Sequence, residues 1–471
     1  MVLLLCALLP MALGGALLTM KKADESRARF AAVLGAFAVC SLAVYAAFTP
    51  GAHRFSLGGF LLLIDGPGRG LFSLTAALYP FAALFAADFI RKGSRGFFAL
   101  FSCALGALLW MGSAGNLLTL WTGYALLALC CVPLLLFDGG ENGKKAAWWG
   151  GVSLGLGLAL SLTAVILLTG RGWNGFSPGG YAVSGDAGDE TVALLLGVLG
   201  FGALFGLLPL TAWTARATLS LPPVSALIHS LCGSAGVIAA ARLFYCLVPS
   251  EQMASWLPKS VLLLAVATAV FGEIRMLLTP DVEMRMAYSS VSNYAFMLMG
   301  VSLMSGEGLS AAMGHMATHA AAKMILFICT GIILAETGRV TAREMRGLGR
   351  HLKWTFACFT VAGLSLMGMP PLPGFVSKYA LITASLAHGE LWQRVSAFVM
   401  AASTVFTATD IFIVVFPAYC ADADLKAGET LRDCGAAAKW ALALLCLLLL
   451  GMIFVMGPMT RDFAGIGGSV L

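Results

Sequence analysis

The side chains most able to do chemistry stand in "GHMATHAAAKMILFICTG", where His315, His319 and Lys323 follow one another at four-residue intervals inside an apolar run. At 3.6 residues per turn each step drifts only about 40° round a helix, so the three form a ladder on one face about 12 Å tall. Histidine, with an ordinary pKa near 6.5, takes and releases protons at physiological pH, and desolvation in general brings lysine toward that range. The chemistry on offer is the passage of a proton or positive charge. Two plainer readings compete. A His pair at i, i+4 can ligate a metal, but no glutamate follows as in HExxH and no third ligand stands nearby. Buried polar groups can also bridge helices without moving protons.

Further candidates lie in other apolar stretches. Lys378 follows the run of prolines in "PPLPGFVSKYAL", His229 sits behind a Pro pair in "PPVSALIHSLCGSAGV", and Asp410 stands in "FTATDIFIVVF". Each of His229 and Asp410 also reads as a satisfied polar group at a helix contact.

The elements that must position these residues are membrane spans. The chain has 471 residues, of which 59% are hydrophobic and 11% charged, and a mean hydropathy of +0.90, too apolar for an ordinary soluble protein. Apolar runs of roughly twenty residues recur from end to end, each able to cross a hydrocarbon core about 30 Å thick. In lipid such runs satisfy their backbone only as helices. The fold class expected is therefore an all-α polytopic membrane protein with about fourteen transmembrane helices, starting near residues 2, 30, 69, 96, 115, 148, 191, 223, 257, 285, 308, 354, 393 and 437. The first run lacks a basic stretch before it and leads into "KKADESRAR", so it reads as a retained span rather than a signal peptide.

Of the 29 Lys and Arg, eighteen fall in one alternate set of loops, including Lys21, Lys22, Arg91, Lys144, Arg216, Arg339, Arg350, Lys426 and Arg432; only six fall in the other. The positive-inside rule puts the richer set in the cytoplasm and, with an even span count, both termini on the outer face of the cell's inner (cytoplasmic) membrane. The net charge of +6 is thus a matter of topology, and no nucleic acid partner is implied. The twelve Cys are scattered through apolar segments without CxxC or metal spacing and read as small buried hydrophobes.

Two spans contain proline well inside: Pro209 in "GALFGLLPLTAW" and Pro370, Pro371 and Pro373 in "LMGMPPLPGFVSK". Proline removes a backbone donor and clashes with the preceding turn, so the seventh and twelfth spans should be broken. Matching breaks in two halves point to a transport site built on internal repeats. The domain division expected is 1–95 for three peripheral helices, 96–250 for a first five-helix repeat, 251–420 for a second, inverted one, and 421–471 for a last helix.

These residues carry a resemblance. "REMRGLGRHLKWTFACFTVAGLSLMGMPPLPGFVSKYALI" resembles the loop and broken helix of the antiporter-like subunits shared by respiratory complex I, Mrp-type sodium/proton antiporters and membrane-bound group 4 NiFe hydrogenases. "HMATHAAAKMILFICTG" is similar to that family's His-x3-His-x3-Lys helix, "PLTAWTARATLSLPPVSALIHS" to its seventh-to-eighth junction, and "TPDVEMRMAYSSVSNYAFML" to the start of its tenth span. The likeness runs from about residue 65 to 418. It implies two inverted half-channels joined by a polar axis, assigns that axis to His229, His315, His319 and Lys323, and assigns the terminal half-channel lysine to Lys378. It further implies partners: other membrane subunits of one complex, further antiporter-like subunits among them, with peripheral redox subunits acting indirectly.

The departures are informative. Where the family usually has a glutamate in the fifth span this chain has Thr122, and where it usually has a lysine before the proline of the seventh it has Leu204. The tenth-span entrance reads Glu283, Met284, Arg285. The first half-channel therefore lacks its charge pair. No cluster-ligating CxxC, no GxGxxG after a strand and no P-loop is present, so no cofactor is expected of the chain itself. The reading is a proton- or sodium-translocating subunit of a redox-driven complex. The alternatives are a subunit of an Mrp-type cation/proton antiporter, or a scaffold that has lost pumping in its N-terminal half.

Overall fold

The computed structural model describes residues 1–21, 24–49, 54–176, 188–247, 256–387, 389–423 and 430–468. Lys22, Lys426 and the expected boundary at 250/251 lie outside the described residues. Among the described residues the regular structure is helical apart from one hairpin. α1 (Val2–Thr19) and α2 (Glu25–Phe48) precede β1 (Arg54–Leu57) and β2 (Phe60–Leu63), which pair antiparallel with Arg54 opposite Leu63. Gly58 and Gly59 make the two-residue turn, both at positive φ (54° and 88°), as a tight hairpin demands. Then come α3 (Gly66–Phe89), α4 (Ser94–Gly112), α5 (Leu117–Leu136), α6 (Glu141–Gly170), α7 (Gly188–Gly202), α8 (Ala212–Ala217), α9 (Pro222–Leu227) and α10 (Gly233–Arg242). The second half holds α11 (Trp256–Leu278), α12 (Val282–Ser302), α13 (Gly306–Thr337), α14 (Lys353–Met367), α15 (Pro373–Ala387), α16 (Leu391–Cys420) and α17 (Ala436–Gly468).

Among the described residues eleven helices are long and apolar enough to cross a membrane; Pro222–Leu247 counts as one of them, joined through π turns at Ile228–Cys232 and Leu243–Leu247. Two shorter apolar helices, Glu190–Phe205 and Lys353–Met367, belong to the broken spans. A count of fourteen adds these two and α12, and that count, like the inverted repeat, belongs to the proposal below.

Both breaks fall where the prolines predict. α7 ends in a 3-10 turn, Ala203–Phe205, followed by Gly206 at φ 76° and a cis Leu208–Pro209 bond. The Ala203 carbonyl closes the 3-10 turn, accepting from Gly206 N at 3.2 Å, and also accepts from Trp213 Nε1 at 2.7 Å. α14 ends at Gly368 (φ 84°), a cis Pro370–Pro371 bond follows, and α15 restarts at Pro373, with Gly374 N donating to Ser365 Oγ at 3.3 Å. Broken helices persist in an apolar bundle because side chains take up the orphaned backbone groups.

The centre is built from helices buried on every side. All of α9 and α10, and nearly all of α12 and α13, are buried, whereas α1, α2, α6, α11, α16 and the described part of α17 expose Leu, Phe, Val or Trp along one side. Exposed apolar faces on long apolar helices are what contact with lipid requires.

Candidate functional site

α13 runs 32 residues; Ser305 opens it by accepting from Gly308 N at 3.1 Å, and Gly338 closes it at φ 66°. The ladder sits in its buried middle, with His315 and His319 1% exposed and Lys323 wholly buried. His315 is held from both sides, Nε2 lying 3.0 Å from Asn293 Oδ1 on α12 and Nδ1 2.9 Å from Ser377 Oγ on α15. Asn293 gives its amide N–H to Ser289 O at 2.6 Å, so its Oδ1 faces the ring and His315 Nε2 is the donor. A neutral ring then accepts from Ser377. The Ser377 hydroxyl also reaches Gly374 O at 3.1 Å, and Thr318 Oγ1 stands 3.1 Å from it. Rotating that one hydroxyl lets His315 Nδ1 either accept or donate. The site can thus hold the ring in either charge state.

His319 has no hydrogen-bond partner on either nitrogen; it meets the Tyr294 ring edge-on at 4.7 Å and lies 6.3 Å from His315 between ring centroids. Lys323 Nζ donates to Met286 O on α12 at 2.7 Å. His229 lies in the π turn between α9 and α10, stacked on Phe327 at 4.7 Å, with Nε2 unpartnered. Tyr294 links it to the ladder, because the same side chain that touches His319 donates through its hydroxyl to His229 O at 2.8 Å.

Lys378 stands one turn past the break, 5% exposed, with Nζ unpartnered. Beside it is a residue the sequence reading missed. Glu273 on α11 is buried, its carboxylate faces the Ser292 and Ser403 hydroxyls without closing a well-formed bond to either, and it lies within electrostatic reach of Lys378, Lys323 and Asp410. Asp410 pairs with Arg285 on α12, Oδ1 to Nε at 2.5 Å. Lys323 feels both carboxylates. The structure therefore gathers His315, His319, Lys323, Lys378 and the Asp410 pair in one region of the second half, with His229 joined to it through Tyr294. Glu283, in the first turn of α12, is buried with Oε1 unpartnered.

The first half is built differently. Thr122 Oγ1 accepts from Trp110 Nε1 at 3.2 Å and donates to Thr119 O at 3.0 Å, and Leu204 is packed into the 3-10 turn of the seventh span. A buried charge here is Arg242, also missed in the sequence. Its guanidinium gives Nε to Asp65 Oδ2 (3.1 Å), Nη2 to Asp65 Oδ1 (2.8 Å), and two further bonds of 2.7 Å to Met111 O and Gly112 O. Asp65 also caps α3, accepting from Gly68 N at 2.6 Å. This pair ties the start of α3, the end of α4 and α10 together. Among the described residues no three His, Cys, Asp or Glu gather as a metal site.

A long buried helix bearing a ladder of protonatable groups, set beside broken helices in an apolar bundle, defines the class of antiporter-like polytopic membrane subunits. The chain belongs to the family described as "NADH:quinone oxidoreductase/Mrp antiporter, TM", which matches residues 114–407, more than half of its length. It is 28% identical over 388 residues to NADH-quinone oxidoreductase subunit N of Desulforudis audaxviator, covering 77% of this chain and 73% of that one. In fold it is similar to a chain of the membrane-bound sulfane sulfur reductase, an archaeal respiratory membrane complex (TM-score 0.88, 22% identity, 100% of this chain and 97% of that one). It is also similar to a chain of respiratory complex I from Thermus thermophilus (TM-score 0.81, 21% identity, all of both chains). The protein is thus an antiporter-like, multi-pass membrane subunit.

Proposed function

We propose that this subunit moves protons, or sodium ions, across the cytoplasmic membrane as part of a multi-subunit, redox-driven complex, using the second half of its chain. The observation that carries the reading is the ladder on α13: three protonatable side chains, fully buried, one of them (His319) with both ring nitrogens unpartnered, and Lys378 unpartnered nearby. Intramembrane ionisable groups are expensive and mark ion pathways. His229, His315, His319 and Lys323 form the central axis, Lys378 terminates it, and the Arg285–Asp410 pair flanks Lys323. Residues 96–250 and 251–420 are the two inverted repeats, fourteen spans put both termini outside, and the loop 337–353 faces the cytoplasm.

The driving force comes from partners. Moving one charge against 100 mV requires about 2.3 kcal/mol, and the chain carries no redox or nucleotide motif to supply it. Other membrane subunits, further antiporter-like ones among them, adjoin it in the bilayer, and peripheral redox subunits act through them.

A second reading has its own support in the first half: with Thr122 held by Trp110 and Thr119 and Leu204 in place of a charge, residues 96–250 serve as scaffold. The deciding experiment is ion translocation by the assembled complex carrying Lys323→Ala, Lys378→Ala or Thr122→Ala. The first two abolish it and the third leaves it unchanged; normal translocation in both lysine variants, with the subunit present, refutes transport and leaves a scaffold. Co-purified redox proteins support the redox complex, and antiporter-like subunits alone support the Mrp type.

A further inference from the structure

α16 carries Ser396, Ser403, Thr407 and Asp410 at steps of seven, four and three residues, all buried. Those steps return to one helix face, and α16 packs against both α11 and α15. Ser396 is satisfied, donating to Gln393 O at 2.7 Å. The rest close no well-formed bond: Ser403 Oγ, Thr407 Oγ1 and Asp410 Oδ2, both oxygens of Glu273 on α11, and Lys378 Nζ and Ser385 Oγ on α15, although the Ser403 hydroxyl faces the Glu273 carboxylate. Ser385 lies seven residues beyond Lys378, on the same face of its helix.

Unpartnered buried polar atoms are rare in native proteins and call for an explanation one by one. Here six residues on three adjoining helices share the feature. A structural ion pair in this chain looks different: Arg242 spends four bonds on its surroundings, whereas the Arg285–Asp410 pair leaves Asp410 Oδ2 and Arg285 Nη2 unpartnered. Glu273 and Lys378 interact through space without closing a bond. The position of Glu273 is fixed by backbone packing: a Cβ on the adjacent Gly272 would lie 3.0 Å from both Ser292 N and Tyr288 O, so α11 and α12 approach closely there. A lysine can give up its proton, which an arginine cannot.

We propose that Glu273 is a proton-carrying residue of the pathway, exchanging its proton with Lys378, and that the Ser403–Thr407–Asp410 face of α16 relays protons between Glu273 and the Arg285 end of the bundle. In the exchange an N–H bond of the Lys378 ammonium breaks and an O–H bond forms on the Glu273 carboxylate, leaving a neutral amine and a neutral acid; total charge is unchanged and no oxidant or reductant takes part. Thr407 stands about 6 Å along the helix from Ser403 and about 4.5 Å from Asp410, steps that water bridges. Lys378 is thereby linked to the cytoplasm-facing end of α16 by a route separate from the His ladder. This rests on the transport reading above.

Two measurements test it. In membranes holding the assembled complex, Glu273→Gln lowers proton translocation about 100-fold, the low end of what a positioned proton-transfer group contributes, Glu273→Asp recovers part of it, and Thr407→Val, which removes a relay hydroxyl at nearly constant shape, also slows it. In the reconstituted full chain, infrared difference spectra on acidification and on transfer to D2O show a carboxylic acid band that is missing in Glu273→Gln. Loss of transport in Lys378→Ala with wild-type rates in Glu273→Gln overturns the Glu273 assignment while sparing the pathway. Wild-type rates in both overturn the pathway itself. An unchanged carboxylic acid band in Glu273→Gln, or a band that responds to Na+ and not to D2O, overturns the proton role directly.

Discussion

Lys323→Met keeps the length and most of the volume of the side chain and deletes its charge. A lysine at mid-membrane costs about 2.5–3.5 kcal/mol on the insertion scale, and the variant recovers that. It forfeits the charged hydrogen bond to Met286 O at 2.7 Å, worth about 1.5–3 kcal/mol. The carbonyl left behind is not orphaned, because Ser290 Oγ donates to it at 3.1 Å. The two terms nearly cancel, so folding changes by no more than about 2 kcal/mol, and the attraction to Glu273 and Asp410 that is also lost works against the gain. Transport has no such compensation: methionine cannot carry a proton, and translocation falls by about 100-fold or more. The assay is proton uptake by vesicles holding the purified complex, normalised to subunit content by mass spectrometry. Wild-type uptake with the subunit present refutes the role of Lys323, and a complex that loses the subunit refutes the energy balance.

Asp65→Ala leaves the Arg242 guanidinium buried with only two carbonyl acceptors and destabilises the chain by about 3–5 kcal/mol, whereas Asp65→Leu with Arg242→Met is far milder; thermal unfolding of the purified subunit reads both. Asp433 accepts from Thr355 Oγ1 (2.6 Å), Trp354 N (2.7 Å) and Cys434 N (2.8 Å), capping α14 from the segment before α17. Partial burial raises its carboxyl, but those bonds outweigh it and hold the group below the ordinary aspartate range. The docking is therefore fully present above about pH 4 and lost as pH falls through the lower folded value, which hydrogen exchange at the Trp354 amide, bonded directly to the carboxylate, detects; Asp433→Ala abolishes the protection at every pH, at about 0.5–2 kcal/mol. A cysteine placed at Thr341 reacts with a membrane-impermeant thiol reagent from the cytoplasmic side alone, and outer-side labelling overturns the orientation.

The ladder and the breaks were legible because each is a local pattern. Three protonatable residues at i, i+4 and i+8 in an apolar run, and prolines inside two spans, announce themselves without tertiary information. The hairpin at 54–63 had a local signal too, Gly58–Gly59 between "RFSL" and "FLLL", overlooked among the longer spans. Glu273 was not legible. A lone carboxylate five residues from a helix end, two before Arg275, reads as a charge near the interface, and only the close approach of α11 to α12 at Gly272 turns it inward. The Asp65–Arg242 pair spans 177 residues, so no window of sequence contains it. Thr122 was visible as a missing glutamate, but its capture by Trp110 depends on how α4 and α5 pack.

The two halves differ in what they do with buried charge, and the difference is one of satisfaction rather than number. Arg242 is completely buried and fully bonded, two bonds to a carboxylate and two to carbonyls. Moving it would break all four at once, and an arginine does not shed its proton, so it can only hold helices together. Lys378, Glu273 and His319 are buried too, yet none closes a well-formed hydrogen bond. A group without a closed bond has none to break when it takes or releases a proton, and Lys323 has one, to a carbonyl that has another donor. Conduction needs sites that bind a proton and release it again, which a saturated ion pair cannot do. Glu273, Lys378 and His319 lie in the second half, and His229, with Nε2 also unpartnered, joins them from the first through Tyr294; on the transport reading proposed above, the groups without closed bonds are the ones that carry the proton and the Arg242–Asp65 pair is the one that locks.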